Sequence, residues 1–324
     1  MSRDPRAHFV VDTTTGKDMK KGFTLSILCS KQFCIKHFFK AFGKLRIPLD
    51  YCHLLIIDNT DKSPLGEMLK EIALDLKDRF YTVRLYKTFR QGARSTRHTQ
   101  FAKFQETKLP YIYAAYKDII KFVTTKTFIN LEDDTVPPPH TIMYLLKDQE
   151  KHGEDTFISG ILSDRGDDLI YQTRLGVHYI HRVDGMMLQR VSLSPKCKGV
   201  KEVDAAGWFC FITSKKVWKE GLKGMSEYLN EIPHFALDMF HTNNMKQKGY
   251  KVYADFRVHC FHIHPTPTKT LFWKPSQAIS MIDYYIPQYK VWAQAVPLKE
   301  DIKERPDFDR WVIPEKSCPV CKTH

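Results

Sequence analysis

TFINLEDDTVPPP, residues 127–139, sets an apolar run, three consecutive acids and three consecutive prolines in an order that decides the fold. TFINL reads as a buried strand. Pro137, Pro138 and Pro139 have no backbone N–H to donate, so strand pairing stops there and the next helix begins. Glu132, Asp133 and Asp134 are thereby left at a strand's carboxyl end, the edge at which open α/β sheets bind ligands. Three adjacent acids at such an end repel one another unless a cation lies among them, and a divalent metal, Mn2+ or Mg2+, meets that need. The competing reading is that they serve the N-terminus of the proline-started helix.

Upstream, FTLSILC (23–29) and CHLLIID (52–58) are continuous apolar runs of the kind that form buried parallel strands, the second closing on Asp58. Between them Ile35, Phe38, Phe39 and Phe42 recur at helical spacing, and Gly43 and Pro48 end the segment. A second helix starts near Pro64 and carries Leu65, Met68, Leu69, Ile72 and Leu76. FYTVRLY is a third strand, and Tyr111 to Val123 a further helix leading into TFINL. Strands alternating with helices imply a βαβ architecture with a mostly parallel central sheet flanked by helices.

Downstream, TFISGIL, DLIYQTR and VDAAGWFCFIT read as strands, separated by a loop-rich, basic region from Arg182 to Lys201. A helix from about Phe235 to Lys248 is stopped by Gly249, and KVYADFRVHCFHIHP returns as strands. The expected organisation is a polar tail over 1–22, a main domain over 23–265 made of two halves (23–139 and 140–265), and a C-terminal extension over 266–324.

The 324 residues carry a formal charge of +13, and Arg79 to Lys108 holds eight basic residues against Glu106 alone. Such a run is either a solvated face or a seat for a polyanion. Six cysteines are scattered singly among apolar neighbours, as buried thiols are in a reducing compartment. No apolar stretch is long enough to span a membrane, and the polar start has no apolar signal region, so the expected location is cytoplasmic, without membrane partners. Cys318, Cys321 and His324 form half a zinc site by spacing, with no second half nearby.

Three further places could carry chemistry. HCFHIH offers His259, Cys260, His262 and His264, and strand alternation sends His262 and His264 to one face. Asp238, in PHFALDMF, is either an acid serving a helix start or a base facing a cleft. Trp208, after Gly207, is either a hydrophobic wall for a ligand or a core aromatic.

In this order the segments resemble the inverting, GT-A-fold glycosyltransferases of the large family-two type over residues 23–265. The matching features are the first strand and helix, Asp58 closing the second strand, the Gly92 to Arg97 segment, LEDDT followed by prolines, VDAAGWFCF, FALDMF, Gly249 and Tyr250, and ADFRVHCFHI. The resemblance implies a GT-A-type nucleotide-sugar-binding α/β fold, with 23–265 as the catalytic domain, 23–139 its nucleotide-binding half and 140–265 its acceptor half, and a metal-dependent transfer from a UDP- or GDP-sugar to an acceptor hydroxyl. It implies that Asp134 is the principal metal ligand, that Glu132 takes the place of the first acid of the DxD motif, and that His262 completes the metal site. Asp133 lies within that motif on the donor side, Asp58 and Arg97 would lie against the nucleoside, and Asp238 would be the general base, with Asp204 as the second candidate. Two positions depart from the family pattern: His98 follows Arg97 where asparagine is common, and Leu237 precedes Asp238 where a companion acid is common.

The acceptor is not fixed by any motif. The positive charge favours nucleic acid, for example a hydroxylated pyrimidine in DNA, while protein and saccharide acceptors stay open. A metal-dependent hydrolase using the same acids and histidines, and a non-catalytic nucleic-acid-binding protein, are the readings of other classes. Oligomeric state has no signal in the sequence.

Overall fold

The computed structural model describes residues 8–30, 35–59, 63–88, 113–162, 177–183, 186–192, 198–225 and 237–262. The strands are β1 (His8–Asp12), β2 (Phe23–Cys29), β3 (Cys52–Asp58), β4 (Thr82–Lys87), β5 (Thr127–Glu132), β6 (Thr135–Val136), β7 (Thr156–Leu162), β8 (Val177–Val183), β9 (Met186–Ser192), β10 (Val200–Glu202), β11 (Ala205–Ala206), β12 (Cys210–Ser214) and β13 (Lys251–His262). The helices are α1 (Ile35–Phe42), α2 (Ser63–Leu76), α3 (113–122), α4 (Thr141–His152), α5 (Lys215–Leu222) and α6 (Leu237–Gln247).

Ten strands form the central sheet, in the order β1-β4-β3-β2-β5-β12-β7-β13-β10, with β6 joined to the end of β13. β4, β3, β2, β5, β7 and β13 all point one way, whereas β1, β12 and β10 run against them. β8, β9 and β11 make a separate small antiparallel sheet. No helix among the described residues is long and apolar enough to cross a membrane.

The apolar runs are apolar because both faces of the sheet are covered. In β3, Leu54 and Ile56 face one core with Phe38, Phe39 and Phe42 of α1, Leu65 and Leu69 of α2 and Leu145 of α4. Leu55 and Ile57 face the other, with Tyr116 and Ile119 of α3, Trp218 of α5 and Met245 of α6. Alternation along each strand thus feeds two layers of helices. β2 breaks the rule on one face only: Phe23, Leu25, Ile27 and Cys29 are apolar, but Thr24 and Ser26 are fully buried hydroxyls.

Three sequence expectations change. The supposed polar tail contributes β1, which pairs antiparallel with β4 and covers that edge of the sheet. Part of the supposed loop region from Arg182 is instead β8 and β9, antiparallel partners. VDAAGWFCFIT is two strands in different sheets, β11 and β12, broken at Gly207–Phe209. Gly249 does stop α6, with φ of +87°, the left-handed geometry suited to glycine. DLIYQTR, Arg97, most of the basic run and Cys318, Cys321 and His324 lie outside the described residues.

Candidate active site

The sheet order creates the site. From β2 the chain moves through α1 to β3 and on to β4, then returns through α3 to β5 on the other side of β2. The crevice beyond the carboxyl ends of β2 and β5 is therefore the topological switch point, where α/β folds take their ligands. The acid triplet stands at that point, and each of its members has a different neighbour.

Glu132, the last residue of β5, accepts a hydrogen bond from the Tyr116 hydroxyl at 2.7 Å. Burial, and next the negative charge of Glu132, raise the Tyr116 phenol well above its ordinary range, so it stays protonated and can donate this hydrogen bond. Asp133 is fully buried, and its Oδ2 accepts from the Ser30 backbone N–H at 2.6 Å, joining the ends of β5 and β2. Asp134 is buried in the turn between β5 and β6. β6 then pairs with the end of β13, with Thr135 opposite His262. Backbone register thus brings His262 to the triplet, although its side chain lies outside the described residues.

Asp58 sits on the far side of β2, buried at the end of β3 and paired with Lys87 Nζ at 2.8 Å. The Asp58 Oδ2 also lies 3.2 Å from where a side chain on Gly66 would begin, so the acid packs against the backbone of α2. Asp238 occupies the first turn of α6, where a carboxylate suits the helix dipole, and its Oδ1 accepts from the Met239 N–H at 2.9 Å. Its Oδ2 faces Gly207. Asp204 is paired with Lys246 at 2.7 Å. Trp208 is a core residue, 3% exposed and packed on Tyr116, Trp218 and His241.

The sequence reading missed the residues behind the acids. Tyr116, Asn130, Ser26, Lys87 and His241 form the polar support of the site. Its one visible signal was the placement of polar residues on one face of otherwise apolar strands: Ser26 in β2, and Asn130 two residues before Glu132 in β5.

Among the described residues no group of three or more His, Cys, Asp and Glu side chains forms a metal cage. The donor set nevertheless suits a hard divalent cation, which commonly takes only one or two protein carboxylates and completes its shell with substrate phosphates and water. Glu132 and Asp134 supply such oxygens at a buried edge. His259, by contrast, is buried, and burial lowers its pKa to about 4.

No family model and no curated protein sequence matches the chain. A solved structure of GalNAc-T7 with UDP, GalNAc and Mn2+ is similar in fold, with a TM-score of 0.52 at 15% identity. The match covers 90% of this chain and 55% of that one, so the chain spans about half the length of the protein it resembles. The architecture of the chain, a mixed α/β structure with a mostly parallel central sheet, matches the GT-A fold of that solved structure.

Proposed function

We propose that the chain is a metal-dependent glycosyltransferase that moves a sugar from a nucleotide diphosphate to an acceptor hydroxyl. The observation that carries this reading is the position of Glu132 and Asp134 at the carboxyl end of β5, on the switch point of a GT-A fold. The GalNAc-T7 structure holds UDP and Mn2+, which supports UDP as the first donor nucleotide to try and GDP as the second.

In this reading Glu132 and Asp134, with His262, hold the cation, Asp133 keeps their turn against β2, and Asp58 and Arg97 face the nucleoside. When bound, Mn2+ or Mg2+ takes up negative charge developing on the diphosphate. The acceptor oxygen attacks the anomeric carbon from the opposite face as the bond to the diphosphate breaks, which inverts that carbon. Asp238 accepts the proton that the hydroxyl loses.

The acceptor we propose is a polyanion, foremost a hydroxylated pyrimidine in DNA, supported by the formal charge of +13. Protein and saccharide hydroxyls are the alternatives. Duplex DNA binding that falls steeply with salt supports the nucleic-acid acceptor, and binding indifferent to salt rejects it.

Calorimetry with UDP and with GDP, with and without Mn2+, tests the reaction class. Metal-dependent binding by the parent that Asp134→Asn abolishes is the expected result. Absence of binding by either nucleotide overturns the proposal in favour of a hydrolase or a pure binding protein.

A further inference from the structure

Asn130 lies at the centre of β5, fully buried in the middle of the sheet. A leucine would fill such a position with no polar partner to find, whereas a buried amide left unsatisfied would lose its hydrogen bonds to water with nothing in return. Every hydrogen-bonding atom of the Asn130 amide is engaged. Its Oδ1 accepts from Ser26 Oγ at 2.9 Å, across the β2–β5 pair in which the two residues are register partners. Its Nδ2 donates to the Trp208 carbonyl at 3.1 Å and to the Tyr116 hydroxyl oxygen at 3.4 Å.

These two donations reach two neighbouring residues, Tyr116 and Trp208, whose rings pack 4.4 Å apart and which lead to different parts of the candidate site. The Tyr116 oxygen accepts from Asn130 while its own proton goes to Glu132, so the amide and the acid are linked through one phenol. The Trp208 carbonyl belongs to the break between β11 and β12, directly after Gly207, the residue that Asp238 faces. One side chain therefore braces the donor-side acid and the turn beside the candidate base.

We propose that Asn130, acting through Tyr116 and the Trp208 carbonyl, is a positioning residue that holds Glu132 and the Gly207–Trp208 turn beside Asp238 in fixed relation. The assignment rests on the glycosyltransferase reading. Neither Asn130 nor Tyr116 need touch substrate. A fully satisfied buried network specifies one geometry, and losing the partner of a metal-ligating group typically weakens metal affinity tenfold or more.

The test compares the parent with Tyr116→Phe, Asn130→Ser and the double variant, by UDP calorimetry with and without Mn2+ and by thermal melting. Tyr116→Phe keeps the ring packing and removes only the hydroxyl, so it keeps the test open should Asn130→Ser fold poorly. Each single variant is expected to weaken Mn2+-dependent UDP binding about tenfold while leaving metal-free UDP binding unchanged. The double variant is expected to bind no worse than Asn130→Ser, because both changes cut one chain of contacts. Variants that melt lower but bind UDP and Mn2+ as the parent does overturn the positioning role, as do losses that multiply in the double variant. A parent that binds no UDP, or binds it without regard to Mn2+, overturns the glycosyltransferase reading and this assignment with it.

Discussion

Gly207 and Asp238 stand so close that a side-chain carbon added to the glycine would lie 3.2 Å from Asp238 Oδ2 and 2.6 Å from the Phe209 ring. The carboxylate proposed as base thus rests against a residue with no side chain, at the break between two strands. Asp238→Asn keeps the shape and removes the proton acceptor. It is expected to slow transfer by about 10²–10⁴ while leaving Mn2+-dependent UDP binding unchanged. Gly207→Ala keeps the acid but displaces it, so the turnover number is expected to fall with little change in the donor KM. Steady-state kinetics with the donor nucleotide-sugar separate the two, and a normal rate for Asp238→Asn removes it as the base.

Arg257 joins two buried acids. Its Nη2 meets both Asp148 oxygens at 2.5 and 2.6 Å, its Nε meets Asp255 at 2.9 Å, and its guanidinium lies 4.2 Å from the Tyr144 ring centre. Burial, and then the neighbouring Asp148, push the Asp255 carboxyl up to about 6 despite the opposing arginine. Arg257→Ala would leave both carboxylates buried without their cation, and a loss of about 3–5 kcal/mol in urea unfolding is expected. Arg257→Lys is expected to recover only part of it, because an ammonium lacks the planar fork that meets both acids.

How far the sequence carried depended on whether a feature was local. The acid triplet, the prolines after it and Gly249 declare themselves by residue type, and the helical spacing of Phe38, Phe39 and Phe42 matches the face they bury. Asn130, Tyr116 and Trp208 do not, because their meaning lies in contacts made across β2, α3 and the β11–β12 break. Trp208 had two sequence readings, and only packing on Tyr116 and Trp218 decides for the core. β1 escaped because five residues of an edge strand, mostly exposed, carry little pattern of their own. β11 and β12 ran together because the break at Gly207 leaves the residue pattern on either side apolar.

Gly160 in β7 is a test of the bulge in β13. Between Asp255 and His259 the pairing with β7 shifts register, and Val258 is packed over Gly160. A side-chain carbon at 160 would stand 2.7 Å from both Val258 Cγ1 and the Val258 carbonyl oxygen, which is backbone and cannot swing aside. Gly160→Ala is expected to cost about 1–3 kcal/mol of stability, read as a lowered midpoint in urea. An unchanged midpoint would mean that β13 shifts freely.

His241 is expected to make the fold sensitive to acid. The Trp208 indole N–H donates to its Nδ1 at 3.0 Å, so that nitrogen carries the lone pair, and Nε2 carries the proton and donates to the Trp218 carbonyl at 3.1 Å. A second proton would have to sit on Nδ1, facing the indole donor. Burial above all, and to a lesser degree the charge of Lys248, lower the pKa of His241 from 6.5 to about 3 against the pull of the Trp218 carbonyl. Because the folded value lies below the unfolded one, the stability it contributes is present above about pH 6.5. It is lost progressively as pH falls toward 3, as the unfolded chain takes up a proton that the folded chain refuses. At about pH 4 the loss amounts to roughly 3 kcal/mol, and His259, lowered to about 4, adds in the same direction. His241→Gln keeps an acceptor and a donor but cannot titrate. It is expected to melt lower than the parent at neutral pH, through lost packing on Trp218, yet to show a shallower fall in Tm between about pH 7 and 4. Parallel Tm profiles for the two proteins would move the acid sensitivity to His259 and leave His241 a packing residue alone.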